Sequence, residues 1–309
     1  MTGPLTGIYN ILATPFTSDL SVDFESLRRL VDFQIDKGAH GLTILAVLGE
    51  AAKLTISERA QVMETVLEVV SGRIPVIVGA SHPEAAQRIA ISRAAVAAGA
   101  LGVMVAPPPM PGYSDEDIIA LYAQIASAVD APIVVQDFPP VNNVTMTPDM
   151  LARLAEQIPT ARTLKLEDPP LMEKISAIRA RTDHYAIFGG LGGMFLLEEL
   201  GRGAAGTMTG FAFTEILVAV YEAWQAGDRA RAGAVFDRYL PLIRYENQPI
   251  INLSIRKMLL YRRGAMATPL LRPPFTGIDA GTLDELTWVL ERVGISDPTQ
   301  KVEPDAVEG

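Results

Sequence analysis

The stretch Arg162-Thr163-Leu164-Lys165-Leu166-Glu167-Asp168 is a short apolar run with a lysine at its centre. Such a run predicts a buried strand. Burying an unpaired ammonium is costly, so burial favours the neutral amine, which is a nucleophile. Lys165 is therefore either a nucleophile that forms a Schiff base with a carbonyl substrate, or a strand-end lysine whose ammonium reaches water.

Seven further apolar runs accompany this stretch, and helical periodicity follows each of them. The eight units recur at roughly 20- to 35-residue intervals, about the length that a strand and its crossover helix need. Near-continuous apolar strands are typical of parallel strands covered on both faces. The pattern predicts an α/β fold, a (β/α)8 TIM barrel, rather than a doubly wound sheet. The predicted strands are residues 8–12, 41–45, 75–79, 102–106, 132–136, 162–168, 185–188 and 205–209.

Local signals place the helices. Asp23 is suited to cap a helix that runs to about Gly38, and Thr55 with Glu58 has the spacing of a capping box. Four further helices are predicted at residues 215–226, 230–242, 250–263 and 283–293. We therefore expect a barrel over residues 1–212, a C-terminal helical region over 213–295 that packs on it, and a frayed polar tail over 296–309.

Composition limits the possible functions. The 309-residue chain has a net charge of −10 and lacks an extended basic cluster, which argues against a nucleic-acid partner. It has no cysteine, so disulfides and thiolate zinc sites are excluded. Its three histidines are scattered, and we expect no metal site. We find neither a signal peptide nor a membrane-spanning run, so a cytoplasmic protein without a membrane partner is expected.

In a (β/α)8 barrel the active site lies at the carboxyl ends of the strands. This rule brings Lys165 together with the residues that follow the other strands. Each of these residues also has a structural interpretation: Glu50 as a solvated turn residue, His82 as a helix cap, and the pair 136–137 as a partner of loop amides. The glycines at 189–193 could cradle a phosphate, but a tight turn is favoured because no lysine follows them. The residues that the rule selects are Thr14, Val47, Leu48, Gly49, Glu50, Ser81, His82, residues 107–109, Gln136, Asp137, Glu167, Gly189, Gly190, Met208 and Thr209.

Several motifs of the chain occur together in one known superfamily. They are Gly49-Glu50, Leu54-Thr55, Glu58-Arg59, residues 75–79, residues 132–139, Lys165 and residues 203–206. Together they resemble the dihydrodipicolinate synthase/N-acetylneuraminate lyase superfamily. The resemblance implies a (β/α)8 barrel with C-terminal helices, usually a homotetramer (a dimer of dimers), and metal-free, cofactor-free class I chemistry. It also implies that Lys165 forms an imine with pyruvate or another 2-oxo acid, with backbone amides at Leu48 and Gly49 on the substrate carboxylate and Met208 in contact with pyruvate.

The chain departs from the synthase pattern at the residues that assist the lysine. Val47 and Leu48 replace two threonines, Pro108 and Pro109 replace a tyrosine pair, and Val141 replaces the arginine that holds the second substrate's carboxylate. Gln136 replaces the catalytic tyrosine of strand five, and an amide cannot serve as a general acid or base. Proton transfer must then use Glu50, Glu167, His82 or a water held by Gln136.

The combination of Ser81-His82, Val135-Gln136-Asp137 and Lys165-Leu166-Glu167 resembles 2-keto-3-deoxy-pentonate dehydratases. We therefore predict a Schiff-base lyase that acts on pyruvate or a 2-keto-3-deoxy sugar acid, as dehydratase or aldolase. A dihydrodipicolinate synthase and a non-catalytic 2-oxo-acid sensor are the alternatives. The predicted catalytic residues are Lys165, Gln136, Glu50 and Glu167, and the predicted substrate-binding residues are Val47, Leu48, Gly49, His82, Asp137, Gly190 and Met208.

Overall fold

The computed structural model describes residues 4–300 and 302–304, and its centre is a closed barrel of eight parallel strands. Each strand pairs with the next one in the chain, and the first and last strands pair to close the barrel. The order confirms the predicted (β/α)8 fold. The strands are β1 Gly7–Ile11, β2 Gly41–Ile44, β3 Val76–Gly79, β4 Gly102–Val105, β5 Ile133–Asp137, β6 Thr163–Leu166, β7 Ala186–Gly189 and β8 Gly206–Thr209.

Helices cover the outside of the barrel, and local capping starts several of them. Asp23 accepts a hydrogen bond from the Ser26 amide, and Thr55 and Glu58 form the predicted capping box. A short helix after β5 was not predicted, since its Pro139-Pro140 start was interpreted as a strand terminator. The barrel helices are α1 Phe24–Asp36, α2 Ile56–Val70, α3 Ala85–Ala97, α4 Asp115–Ala126, α5 Pro139–Asn142, α6 Pro148–Gln157, α7 Leu171–Arg179 and α8 Leu196–Gly201.

Four further helices complete the C-terminal region: α9 Thr214–Gln225, α10 Arg229–Glu246, α11 Asn252–Arg262 and α12 Ala280–Arg292. Helix α10 continues four residues beyond the predicted end at Leu242, because Pro241 does not terminate it. The predicted frayed tail is partly packed, since Val302 is buried against the core. Residues 305–309 of that tail lie outside the described part of the chain. Within residues 4–300 and 302–304, no helix combines the length and apolarity that a membrane span requires.

The side chains of each strand alternate between two apolar layers. Leu164 and Leu166 of β6 face the surrounding helices and belong to the large outer core. Residues of the inner layer, such as Tyr9, Phe188 and Met208, fill the barrel interior. Because the side-chain period of a strand is two residues, Lys165 points to the opposite face from Leu164 and Leu166. The alternation therefore directs Lys165 into the barrel interior.

Candidate active site

A cavity of about 170 Å³ lies at the carboxyl ends of the strands, where the barrel rule predicts the site. Strand ends and strand-following loops supply most of its wall, and the C-terminal helical region supplies the rest. The lining residues are Ile11, Ala46, Val47, Leu48, Gln136, Phe138, Lys165, Glu167, Leu191, Gly192, Met208, Thr209, Asn247, Asn252 and Arg256.

Three polar side chains from β5 and β6 meet in this cavity. The Nζ atom of Lys165 lies 2.7 Å from Oε2 of Glu167, and the Nε2 atom of Gln136 donates a 3.0 Å hydrogen bond to the same oxygen. Gln136 and Lys165 are partners in the β5–β6 register, which sets them side by side. All three are at most 6% exposed, so the carboxylate and amine interact with little solvent screening.

Gly190 and Glu199 lie behind Glu167. A Cβ atom at Gly190 would fall 2.5 Å from Oε1 of Glu167, so the missing side chain makes room for this carboxylate. Gly190 itself does not line the cavity. Glu199 of α8 is 1% exposed, and its Oε2 has no hydrogen-bond partner among the described residues. Burial, and secondarily the nearby Glu167 carboxylate, raises the pKa of Glu199 to about 8, so this side chain is protonated at neutral pH.

The loop after β2 brings two predicted residues to the cavity. Val47 and Leu48 line it with apolar side chains. Gly49 lies just outside, and its amide donates to the Ala46 carbonyl in a 3₁₀ turn while its carbonyl accepts from the Thr14 hydroxyl. The Gly49 amide therefore has a partner within the protein, and its contact with a substrate carboxylate stays a prediction.

Glu50 is not among the residues that line the cavity, and its catalytic role stays a prediction. Its carboxylate accepts from Lys257 of α11, from Lys53 and from the Arg272 amide. Lys257 is fully buried, and desolvation lowers its pKa to about 8 despite the opposing Glu50 charge. Glu50 thus joins the β2 loop to the C-terminal region.

His82 and Asp137 also lie away from the cavity lining. The Nδ1 atom of His82 accepts from the amide of Glu84, the residue just before α3, so this histidine bonds within its own loop rather than to an amide of the helix. Asp137 points outward from β5 to Lys174, 2.5 Å away, and Lys174 also contacts Asp168. Desolvation raises the pKa of Asp137 to about 6 despite the Lys174 ammonium. Both predicted binding residues are thus occupied within the protein.

The C-terminal helical region supplies three lining residues that the sequence reasoning missed: Asn247, Asn252 and Arg256. Asn247 donates to the Leu191 carbonyl and fills the space left by Gly192. These residues follow or belong to helices outside the barrel, so the rule of strand ends could not select them. One feature of the sequence could have indicated them: polar side chains cluster between α10 and α11, where the apolar periodicity of the helices does not explain them.

No group of three or more histidine, aspartate and glutamate side chains that could hold a metal ion occurs within residues 4–300 and 302–304. The polar groups of the cavity are instead one amine, one guanidinium, one carboxylate, one hydroxyl and three amides. This set is suited to binding a small acid and to moving protons beside an amine nucleophile.

Comparisons with known proteins agree with this geometry. Residues 4–293 match the family described as the Dihydrodipicolinate synthetase family. An L-2-keto-3-deoxyarabonate dehydratase of Azospirillum brasilense is 34% identical over 294 residues, which are 93% of this chain and 94% of the relative. The Escherichia coli "Probable 2-dehydro-3-deoxy-D-pentonate aldolase YjhH" is 28% identical, over 80% of this chain and 84% of the relative.

A solved structure gives the same result. The dihydrodipicolinate synthase of Rhodopseudomonas palustris superposes with a TM-score of 0.88 at 37% identity, over 93% of this chain and 97% of the other. The family match spans the barrel and the helices that close its mouth. The chain belongs to the dihydrodipicolinate synthetase family and is a lyase of that family's Schiff-base type.

Proposed function

We propose that Lys165 forms an imine with a 2-oxo acid and that the protein dehydrates a 2-keto-3-deoxy sugar acid. The observation that carries the proposal is the 2.7 Å contact between Lys165 and Glu167 in a buried cavity at the barrel mouth. A carboxylate beside the amine can take the proton that the amine must lose before it attacks. The same carboxylate then stays next to the carbon atoms that react.

The first step joins the amine to the substrate. Neutral Lys165 attacks the C2 ketone, and the carbinolamine loses water to give a protonated imine. The positive nitrogen withdraws electrons from C2 and so acidifies the C3 hydrogen. Glu167 removes that proton, and the electron pair forms an enamine. The pair then returns to expel the C4 hydroxyl, which leaves as water once it has been protonated. Hydrolysis finally releases Lys165.

Glu167 suits both proton transfers. It is the one ionisable acid among the described lining residues, and the Gln136 amide fixes its Oε2 at 3.0 Å. Gln136 cannot itself exchange a proton, so it acts by positioning the carboxylate or a water molecule. This arrangement replaces the tyrosine chemistry that the resemblance would otherwise imply.

Dehydration is favoured over the two related reactions. Identity favours the dehydratase relative, at 34%, over the aldolase relative, at 28%. It does not separate the dehydratase from the Rhodopseudomonas palustris synthase, which is 37% identical, so the case against a synthase rests on position 141. Val141, in place of the arginine clamp of a synthase, is 55% exposed and offers no charge for a second carboxylate. The aldolase reaction would start from the same imine but break the C3–C4 bond.

Borohydride reduction with pyruvate, followed by peptide mass mapping, tests the first step. We expect an irreversible adduct on Lys165 and its loss in Lys165→Ala. The buried lysines Lys174 and Lys257 provide an internal control, because both are ion-paired outside the cavity. An adduct on either of them, or none on Lys165, contradicts the proposal.

A panel of 2-keto-3-deoxy sugar acids tests the second step. Formation of a dehydrated oxo acid supports a dehydratase, while release of pyruvate and an aldehyde identifies an aldolase. Condensation of pyruvate with aspartate semialdehyde would identify a synthase. Imine formation without turnover of any acid would instead indicate a sensor.

We further propose a cytoplasmic homotetramer, a dimer of dimers, on the basis of family membership. Apolar side chains such as Ile56 and Ile250 are 79% and 81% exposed, as residues at subunit contacts often are in an isolated chain. Light scattering at several protein concentrations checks the mass, and a strictly monomeric protein would contradict it.

A further inference from the structure

Arg256 of α11 is an ionised side chain that the proposed reaction does not use. It is 1% exposed and lines the same cavity as Lys165. Its Nε atom donates to Oε1 of Glu246, 2.7 Å away, and no described residue accepts from either Nη atom. Arginine has five N–H donors, so a single bonded one leaves most of this guanidinium without a protein acceptor. Buried donors are rarely left unpaired, and these point to a ligand.

The register of the barrel places this guanidinium nearer to the opening than Lys165. Lys165 pairs with Phe188, and Phe188 pairs with Gly206. Gly210 lies four residues further along the chain, directly after β8, and a Cβ atom there would be 2.9 Å from Nη1 of Arg256. In an eight-stranded barrel the strand tilt takes up about one residue per strand, hence about two of these four. Arg256 therefore lies about two residues closer to the barrel mouth than the amine.

The acid end of the substrate does not need this arginine. The amide of Leu48 lies in the 3₁₀ turn of residues 47–49, which does not use it, and it has no partner among the described residues. It is a free donor for the carboxylate next to the ketone. A substrate with its carboxylate at the loop after β2 and its C2 atom on Lys165 can extend its remaining carbons toward the opening, where Arg256 lies.

The surroundings of Arg256 favour a neutral oxygen over a second anion. Glu246 is fully buried, pairs with Arg256 and accepts from the Ala212 amide, so the pair has no net charge. A second carboxylate would lie beside Glu246 without a free positive charge to balance it. The cavity residues next to Arg256 in the structure are uncharged: Thr209 precedes Gly210, and Asn252 lies one turn before Arg256 on α11. A hydroxyl group accepts from a guanidinium without adding charge, and it fits these neighbours.

We infer that the guanidinium of Arg256 donates a hydrogen bond to the C5 hydroxyl of a 2-keto-3-deoxy sugar acid, and so makes the enzyme prefer substrates that carry this group. The inference rests on the proposed function. In that reaction Lys165 holds C2, and Glu167 stays beside C3 and the leaving C4 hydroxyl. The C5 hydroxyl is the first polar group of the substrate beyond them, and Arg256 is an unpaired donor that lies further toward the opening.

The test compares 2-keto-3-deoxypentonate with 4-hydroxy-2-oxopentanoate of the same C4 configuration, which lacks only the C5 hydroxyl. The ratio kcat/KM is measured for the consumption of each acid by the wild type and by Arg256→Gln. We expect the wild type to prefer the dihydroxy acid about 10- to 100-fold, the effect of a charge-assisted hydrogen bond, and Arg256→Gln to lose this preference. Because the preference compares two substrates of one preparation, a general loss of folded protein does not alter it.

Pyruvate, which has no C4 or C5, serves as the reference ligand. The concentration for half-maximal borohydride trapping of pyruvate on Lys165 should be the same in the wild type and in Arg256→Gln. A large rise of this concentration in Arg256→Gln would place Arg256 at the reacting end of the substrate and would overturn the inference.

Arg263→Gln is the matched control. Arg263 directly follows α11, is buried and pairs with Glu215, but it does not line the cavity. This variant should lose stability while the preference remains. Arg256→Lys is a second test variant, because it keeps a cation opposite Glu246 but removes the Nη donors. It should fold and still lose the preference.

The outcomes separate the two proposals. No pyruvate adduct on wild-type Lys165 overturns the proposed function. A normal adduct and normal turnover, with an unchanged preference in Arg256→Gln, overturn only the role of Arg256. If Arg256→Gln does not fold, Arg256→Lys decides, and an unchanged preference there also overturns the inference. A wild type that consumes both acids equally well overturns it as well.

Discussion

Lys165 lies on β6 and Glu167 directly follows that strand, and the spacing of two residues has a chemical consequence. The Glu167 amide donates to the Asp137 carbonyl and so continues the pairing with β5, and Oε2 of Glu167 lies 2.7 Å from Nζ of Lys165. A base held this close to the imine nitrogen can also reach the adjacent C3 position. Glu167 is therefore expected to act after imine formation as well as before it.

Replacement of Glu167 by glutamine should separate binding from turnover. We expect kcat for the sugar acid to fall about 10²- to 10⁴-fold, the usual contribution of a general base, while pyruvate can still be trapped on Lys165. Steady-state kinetics measures kcat, and borohydride trapping on the same preparation measures adduct formation on Lys165. Glu173→Gln, an exposed change on α7, is the control and should leave kcat unchanged. Unchanged turnover in Glu167→Gln would exclude this carboxylate as the base.

Glu199 should make the stability of the protein depend on pH. Its pKa is raised to about 8 from the ordinary 4.5, mainly by burial. Between these two pH values the folded state holds a proton that the unfolded chain has lost. The contribution of Glu199 to the free energy of unfolding therefore falls as pH rises from about 4.5 to 8, by about 5 kcal/mol, and then levels off.

Glu199→Gln should flatten this part of the pH profile and be more stable than the wild type at pH 8. Urea unfolding at fixed protein concentration between pH 5 and 9 measures the slope. Glu198→Gln changes the exposed neighbour of Glu199 and should keep the slope of the wild type. A wild-type profile that is flat in this range would mean that Glu199 is ionised or solvated.

At the scale of elements, the loop after β2 and helix α11 are joined by a buried ion pair. Glu50 contacts Lys257, whose ammonium also donates to the Leu270 carbonyl and lies 4.3 Å from the centre of the Phe16 ring. Arg272 adds hydrogen bonds to both oxygens of Glu58 at the start of α2. These contacts hold the C-terminal helical region, and with it Arg256, over the barrel mouth.

Removing one partner of the Glu50–Lys257 pair should lower the stability of the protein far more than removing both. Glu50→Gln leaves the Lys257 ammonium without its counter-charge and should cost about 3–5 kcal/mol of stability. The double variant Glu50→Gln/Lys257→Met should recover most of that loss. Chemical denaturation of the wild type, the two single variants and the double variant gives the coupling free energy between the two residues. Lost turnover in Glu50→Gln with unchanged stability would instead support the catalytic role predicted from sequence.

At the scale of the whole molecule, the barrel supplies the reactive groups and the C-terminal helices close the site. Lys165, Glu167 and Gln136 come from strands, whereas Asn247, Asn252 and Arg256 come from the region after α9. The family match extends over both parts, to residue 293. The regions predicted as a barrel and a separate set of packed helices thus contribute to one cavity.

Sequence reasoning was most accurate where local rules decide. Strand ends lie within two residues of prediction, and the Thr55–Glu58 capping box is present. It was least accurate for side chains that can pair either with a ligand or with a distant residue of the protein. Glu50 and Asp137 are conspicuous acids after strands, yet each pairs with a lysine far away in sequence, Lys257 and Lys174. Nothing in the local sequence reveals that pairing.

The sequence alone determined a parallel α/β fold, because near-continuous apolar strands separated by amphipathic helices must be covered on both faces, and the count of eight units favoured the barrel over a doubly wound sheet. It also determined which face of β6 carries Lys165, since the strand period of two residues separates this side chain from Leu164 and Leu166. Only the tertiary structure decided the partners of Lys165. Closure of the barrel and packing of α11 bring residues as far apart in sequence as Ile11 and Arg256 into one small, poorly solvated space. There, charge pairing rather than sequence order selects the contacts.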